Sequence, residues 1–253
     1  MTPTTTWRAG LGAVLIWSAL TGCSVAPAPT ESGPAYGGEP TVSARPDEAG
    51  EVLSSLVPSP SSAAAPFARA RALLDGLPVK GKAPRTGYRR SVFGRAWSDD
   101  VSVPSGRNGC RTREDVLQRD LTDVVLQGRC KVMSGWLDDP YTGERLHFER
   151  GVDVKAIQID HVVALADAWR TGAQEWTPQR RLEFANDPRN LQTTAGWANR
   201  RKGSSNAASW LPPNKSFRCT YVGRQIEVKQ RYGLWVVAAE RDAMRRVLAK
   251  CGA

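Results

Sequence analysis

Between residues 158 and 206 the chain gathers side chains whose types and spacing could hydrolyse a phosphodiester: Asp160-His161, then Asn190 just ahead of Leu191, then Asn199-Arg200-Arg201-Lys202-Gly203. That reaction needs a base to deprotonate water, a cation to stabilise charge developing on the phosphate, and positive groups to hold the backbone. Taken singly, each piece has a plainer reading. A lone His is more often structural than catalytic, and an Arg-Arg-Lys run is usually a solvated face. Together they are complementary. At a strand end that turns, adjacent side chains need not compete for one position, so Asp160 and His161 can serve one cation and one water. Asn199 on a following helix would offer a neutral amide oxygen to the same ion. One carboxylate plus one amide leaves room for water and phosphate, which suits magnesium. Lys202 lies three residues after Asn199, on a neighbouring face of one turn, within expected reach of a phosphate.

The elements that must position these groups are partly legible. Residues 152–159 alternate well enough for a strand, and residues 162–170 and 178–185 read as helices. The second of these has Thr177 at its N-cap and Pro178 in its first turn. Upstream, a helix is expected over 68–74, stopping at Asp75-Gly76, and another over 113–126, ending at Gly128. Asp138-Asp139-Pro140-Tyr141-Thr142-Gly143 marks a turn between extended pieces. The end, about 226–250, reads as helix broken at Gly233. The expected class is α+β with a small sheet.

Length and charge bound the function. The 253 residues carry 35 Lys+Arg against 25 Asp+Glu, a net charge of +10, with two His and five Cys. This excludes a collagen-like repeat, a disulfide-saturated miniprotein and a multi-span membrane protein. Residues 1–66 hold two basic and five acidic side chains, so residues 67–253 carry 33 against 20, a net +13. Basic excess in the folded part points to a polyanionic partner.

The N-terminus reads as an export signal over 1–22: Arg8, then a short apolar run over 9–20, then Leu20-Thr21-Gly22-Cys23. That ending resembles the bacterial lipobox, in which the Cys is lipidated. Residues 23–66 are rich in Pro, Ser and Ala and are read as a disordered tether. The domain is expected over 67–253. The remaining cysteines, Cys110, Cys130, Cys219 and Cys251, allow three pairings. Cys110–Cys130 with Cys219–Cys251 is favoured because each ties neighbouring elements. A four-cysteine zinc site is disfavoured, since no two lie within the usual knuckle spacing.

The pattern Asp160-His161, Asn190 before a short apolar strand, and Asn199-Arg200-Arg201-Lys202-Gly203 resembles the HNH endonucleases, built on the ββα-metal fold. Asn108-Gly109-Cys110, Asp139-Pro140-Tyr141-Thr142-Gly143 and Trp210-Leu211-Pro212-Pro213 resemble secreted bacterial HNH proteins related to the C-terminal domain of GmrSD-type restriction enzymes. The motif core spans 154–206. The resemblance implies His161 as general base, Asp160 and Asn199 as ligands of one divalent cation, and Asn190 hydrogen-bonding the loop that holds His161. Magnesium is expected ahead of manganese, and zinc is disfavoured because Asn199 stands where the family name implies His. A second departure is the 28-residue insertion over 162–189.

The expectation is an exported, metal-dependent endonuclease cutting DNA in preference to RNA, with little sequence specificity, as a monomer. It is lipid-anchored to the outer face of the cell membrane or secreted, with a cognate inhibitor conceivable if it is a toxin. Arg200 and Arg201 are the expected phosphate holders. The rival is a non-catalytic basic surface lipoprotein that captures extracellular DNA or an acidic wall polymer. His147 and the tryptophans Trp97, Trp136, Trp169, Trp176, Trp197, Trp210 and Trp235 are read as structural. Arg113 and Arg119 are read evenly as phosphate clamps or salt-bridge partners.

Overall fold

The computed structural model describes residues 65–153 and 155–252. The expected signal peptide, Cys23 and the tether up to residue 64 lie outside the described residues. Within them the chain is α+β: seven α-helices and two small sheets. No described helix is long and apolar enough to cross a membrane.

Helix α1 (Ala65–Gly76) opens the domain, and α2 (Thr112–Asp120) follows a long irregular segment. A three-stranded antiparallel sheet comes next, formed by β1 (Thr122–Gln127), β2 (Lys131–Asp138) and β3 (Arg145–Glu149) in sequence order. The helix expected over 113–126 is therefore half strand. The backbone leaves helix at Leu121, and β-branched Thr122, Val124 and Val125 suit the pleat better than a helical turn. Gly128, at φ 64°, closes the hairpin. Cys130 beside it bonds to Cys110, with Cα atoms 5.5 Å apart, pinning the hairpin to the segment before α2.

The second sheet has two strands, β4 (Ile157–His161) and β5 (Leu191–Ala195). The strand expected over 152–159 is thus shorter and later, because Gly151 at φ 88° and the turn around Asp153 break extension. Between β4 and β5 lie α3 (Leu165–Arg170) and α4 (Pro178–Asn186). The α4 N-cap is as expected: Arg180 N donates to Thr177 Oγ1 at 3.2 Å. After β5 the chain passes directly into α5 (Gly196–Lys202), then α6 (Arg218–Tyr232) and α7 (Ala238–Leu248). Gly233, at φ 67°, ends α6 where the break is expected.

The core is built around α6. Tyr221, Val222 and Ile226 pack with Leu74 of α1, Met244 and Leu248 of α7, and Ala198 of α5. Burying each large apolar side chain contributes about 1.5–3 kcal/mol. Cys219 bonds to Cys251, with Cα atoms 5.8 Å apart, closing α6 against the C-terminal segment. Both disulfides are the favoured pairings, so the four cysteines are not available to zinc.

Candidate active site

Strands β4 and β5 and helix α5 form one ββα unit. In the antiparallel register Asp160 faces Gln192 and His161 faces Leu191. Gly196, at the corner between β5 and α5, lies so close to the Lys155 carbonyl that a Cβ there would collide with backbone. Gly196 N also donates to Ala156 O at 2.6 Å, fixing the start of α5 against the chain entering β4. Asn199 is thereby held beside the strand end. A cavity of about 380 Å³ opens there, lined by Asp160, His161, Asn199, Arg85, Tyr88 and Arg90 among others.

The Asp160 carboxylate is 4% exposed. Its Oδ2 accepts from the Tyr141 hydroxyl at 2.7 Å and its Oδ1 from Lys202 Nζ at 3.0 Å. Burial pushes its pKa up, more than Lys202 and Tyr141 pull it down. Tyr141 arrives on the β2–β3 turn. That turn is organised by buried Asp139, which accepts from Tyr141 N, Thr142 Oγ1 and Ala195 N. One carboxylate therefore joins the turn to the end of β5, and the turn presents Tyr141 to the site.

His161 Nε2 lies 2.9 Å from Ala185 O. A carbonyl only accepts, so Nε2 carries the proton and Nδ1 is the acceptor nitrogen. Burial, then the Arg90 charge, lowers the imidazole pKa to about 3. The ring is neutral at physiological pH. Asn190, fully buried, holds the turn that follows: its Oδ1 accepts from Val163 N at 2.8 Å, its Nδ2 donates to Val163 O at 3.3 Å, and its backbone O accepts from Val162 N. Gln225 of α6 donates to Val162 O at 3.0 Å from the other side.

Asn199 donates Nδ2 to Gln158 Oε1 at 3.0 Å, which turns the amide oxygen the other way. Arg200 and Arg201 are exposed on α5, outside the cavity lining, and Arg200 donates to Lys155 O. Lys202 differs from the phosphate reach expected of it. It is 1% exposed and splits its ammonium between Asp160 and His161 O, the latter at 2.8 Å. Helix α5 packs on β4, so the position one turn after Asn199 faces the strand rather than solvent.

The cations that line the cavity are Arg85 and Arg90, from a segment the sequence reading did not single out. Only their shared region of basic residues, Arg85 with Arg89-Arg90, could have suggested them. Arg119 is a structural residue: it donates to Pro188 O and Leu191 O, both at 2.7 Å, and pairs with Asp120. Arg113 stacks over Phe148 and faces Glu114. His147 stands against Trp136 on the three-stranded sheet, away from the cavity. The tryptophans divide: Trp169 is buried, whereas Trp136 and Trp197 are 38% and 41% exposed.

The donor set is compatible with a hard divalent cation. No group of three or more His, Cys, Asp or Glu side chains converges to hold a metal among the described residues. A cation here would rest on one carboxylate and neutral oxygens, with spare lone pairs on Asp160 and the Asn199 amide oxygen. Oxygen ligands of this kind suit a hard cation.

The model of the GmrSD restriction endonuclease C-terminal domain matches residues 111–247, the stretch that holds the ββα unit and α6. The chain belongs to this family. A protein of Arthroderma benhamiae named "Uncharacterized secreted protein" is 40% identical over 203 residues, covering 79% of this chain and 94% of its own length. No solved structure matches the chain. Membership in the GmrSD C-terminal domain family makes this a nuclease-related domain.

Proposed function

We propose that the protein is an exported, metal-dependent endonuclease that hydrolyses DNA phosphodiesters with little sequence preference. The observation that carries this is the convergence of Asp160, His161, Asn199, Arg85 and Arg90 on one cavity at the end of β4. Arg85 and Arg90 would draw affinity from phosphate contacts, which carry no sequence information and weaken with salt.

In this reading His161 Nδ1 takes a proton from the attacking water, and the Ala185 carbonyl holds Nε2–H and stabilises the imidazolium that forms. Asn190 and Gln225 fix the turn on which the ring depends. Arg85 and Arg90 hold phosphate oxygens. Asp160 and Asn199 would hold the cation, which when bound supplies charge stabilisation to the phosphate and the leaving oxygen. Lys202 and Tyr141 position Asp160. The relative named as secreted supports export of this chain, and Cys23 is the proposed lipid anchor.

A non-catalytic DNA-capturing protein has one observation in its favour: both Asp160 oxygens already have donors. Supercoiled plasmid incubated with the full chain and magnesium separates the two. The nuclease converts plasmid to nicked and linear forms, and a chelator stops it. Retention of intact plasmid under magnesium and manganese alike, with DNA bound, would establish the rival.

A further inference from the structure

A second cavity, of about 250 Å³, lies against His161. Its largely apolar wall includes Arg90, Phe93, Trp97, His161, Leu165 and Ala185. It shares Arg90, His161 and Leu165 with the proposed catalytic cleft, so the two spaces meet at the base. None of the roles assigned above uses it.

Its wall is held under strain. Trp97 has φ 60°, a left-handed backbone that bulky residues rarely adopt. The restraint is Asn186, 1% exposed at the end of α4. Its Oδ1 accepts from Ser98 N at 3.0 Å and its Nδ2 donates to Arg95 O at 3.3 Å, gripping the backbone on both sides of Trp97. Thr112 Oγ1 adds a bond to Ser98 O at 2.7 Å. The neighbouring residue on α4, Ala185, is the one whose carbonyl holds His161. Strain of this kind persists only where surrounding contacts over-determine it, and it concentrates at binding sites. The end of α4 thus fixes an aromatic ring and the proposed base relative to each other.

We propose that this cavity receives one unstacked nucleobase of the strand being cut, against the half-buried Trp97 ring, while Arg90 holds the adjoining phosphate. The inference rests on the nuclease reading and narrows its substrate to single-stranded or locally unpaired DNA. A base inside a duplex is stacked and paired, and must be extruded to enter. Aromatic stacking tolerates every base, which agrees with the little sequence preference proposed for cleavage.

Binding tests it without cleavage. With chelator present, the full chain is titrated with labelled oligothymidylate and with a fully abasic strand of equal length. Oligothymidylate should bind about tenfold more tightly. Trp97→Ala and Trp97→Asn should abolish that difference while leaving abasic affinity unchanged. Asn accommodates a left-handed backbone, so its result does not depend on tolerating the strain. Equal affinity for both strands in the wild type, or a preference that survives both substitutions, overturns the proposal. With magnesium, single strands should be cut faster than duplex. Equal rates on both, with no base-dependent binding, would sink this inference and leave the nuclease reading intact. Base-dependent binding with no cleavage of either would keep the cavity's role and sink the nuclease reading.

Discussion

Lys202 Nζ and Asp160 Oδ1 meet at 3.0 Å with neither side chain more than 5% exposed. The ammonium offsets part of the cost that burial imposes on the carboxylate's charge. Its arrangement is reinforced by Tyr141 on the other oxygen and by His161 O on the ammonium. The strand end is therefore held in shape by α5 and by the β2–β3 turn before any cation or substrate arrives.

Breaking the pair from one side leaves an uncompensated buried charge. Lys202→Met should destabilise the fold by about 3–5 kcal/mol. Adding Asp160→Asn should recover part of that loss, because the orphaned charge is gone. Denaturant midpoints of the two single variants and the double variant check this. Additive losses would show that the two residues act independently.

Gly196 makes a second, steric prediction. A methyl group there meets the Lys155 carbonyl, so Gly196→Ala must displace α5 and with it Asn199. The expected outcome is a folded protein, destabilised by about 1–3 kcal/mol as overpacked sites are, whose magnesium affinity has dropped. Gly223→Ala, at an open position on α6, is the control. Thermal melts with and without magnesium read both effects.

A separate buried cluster sets a pH limit. Lys229 of α6, fully buried, contacts Asp167 at 3.1 Å and Glu240 at 3.1 Å. Burial opposes its charge, but Asp167 and Glu240 outweigh burial and raise its pKa above the ordinary 10.5. A raised lysine pKa contributes stability that is complete below 10.5 and is lost as pH climbs through the folded value. Stability should therefore decline in that alkaline window more steeply for wild type than for Lys229→Met. Parallel pH profiles from urea unfolding would contradict this.

The grouping of Asp160, His161 and Asn199 was legible because it is local. Asp160 and His161 are adjacent, and Asn199 follows one strand after Asn190, so a linear reading captures the ββα unit. Cysteine pairing, the Thr177 cap and the Gly233 break were legible for the same reason: each is a short-range signal. Arg85, Arg90 and Tyr141 were not, because they come from 19 to 76 residues upstream of His161 and Asp160 and reach the cavity only through tertiary packing. Arg200-Arg201-Lys202 reads as one basic run, yet helical geometry sends the first two outward and the third into the core. The β1 strand was hidden for a different reason. Val116, Leu117, Leu121, Val124 and Val125 fit a helical stripe, but Gly128 and the Cys110–Cys130 bond commit the second half to a hairpin.

If His161 is the base of a phosphodiester hydrolase, initial cleavage rates of wild type and His161→Ala under saturating DNA and magnesium will differ widely. The variant should cleave at least about 100-fold more slowly while it remains folded and still binds DNA, with some stability lost because the buried ring and its bond to Ala185 O are gone. A His161→Ala protein that cleaves at the wild-type rate, or a wild type that never cleaves, would rule out that role for His161.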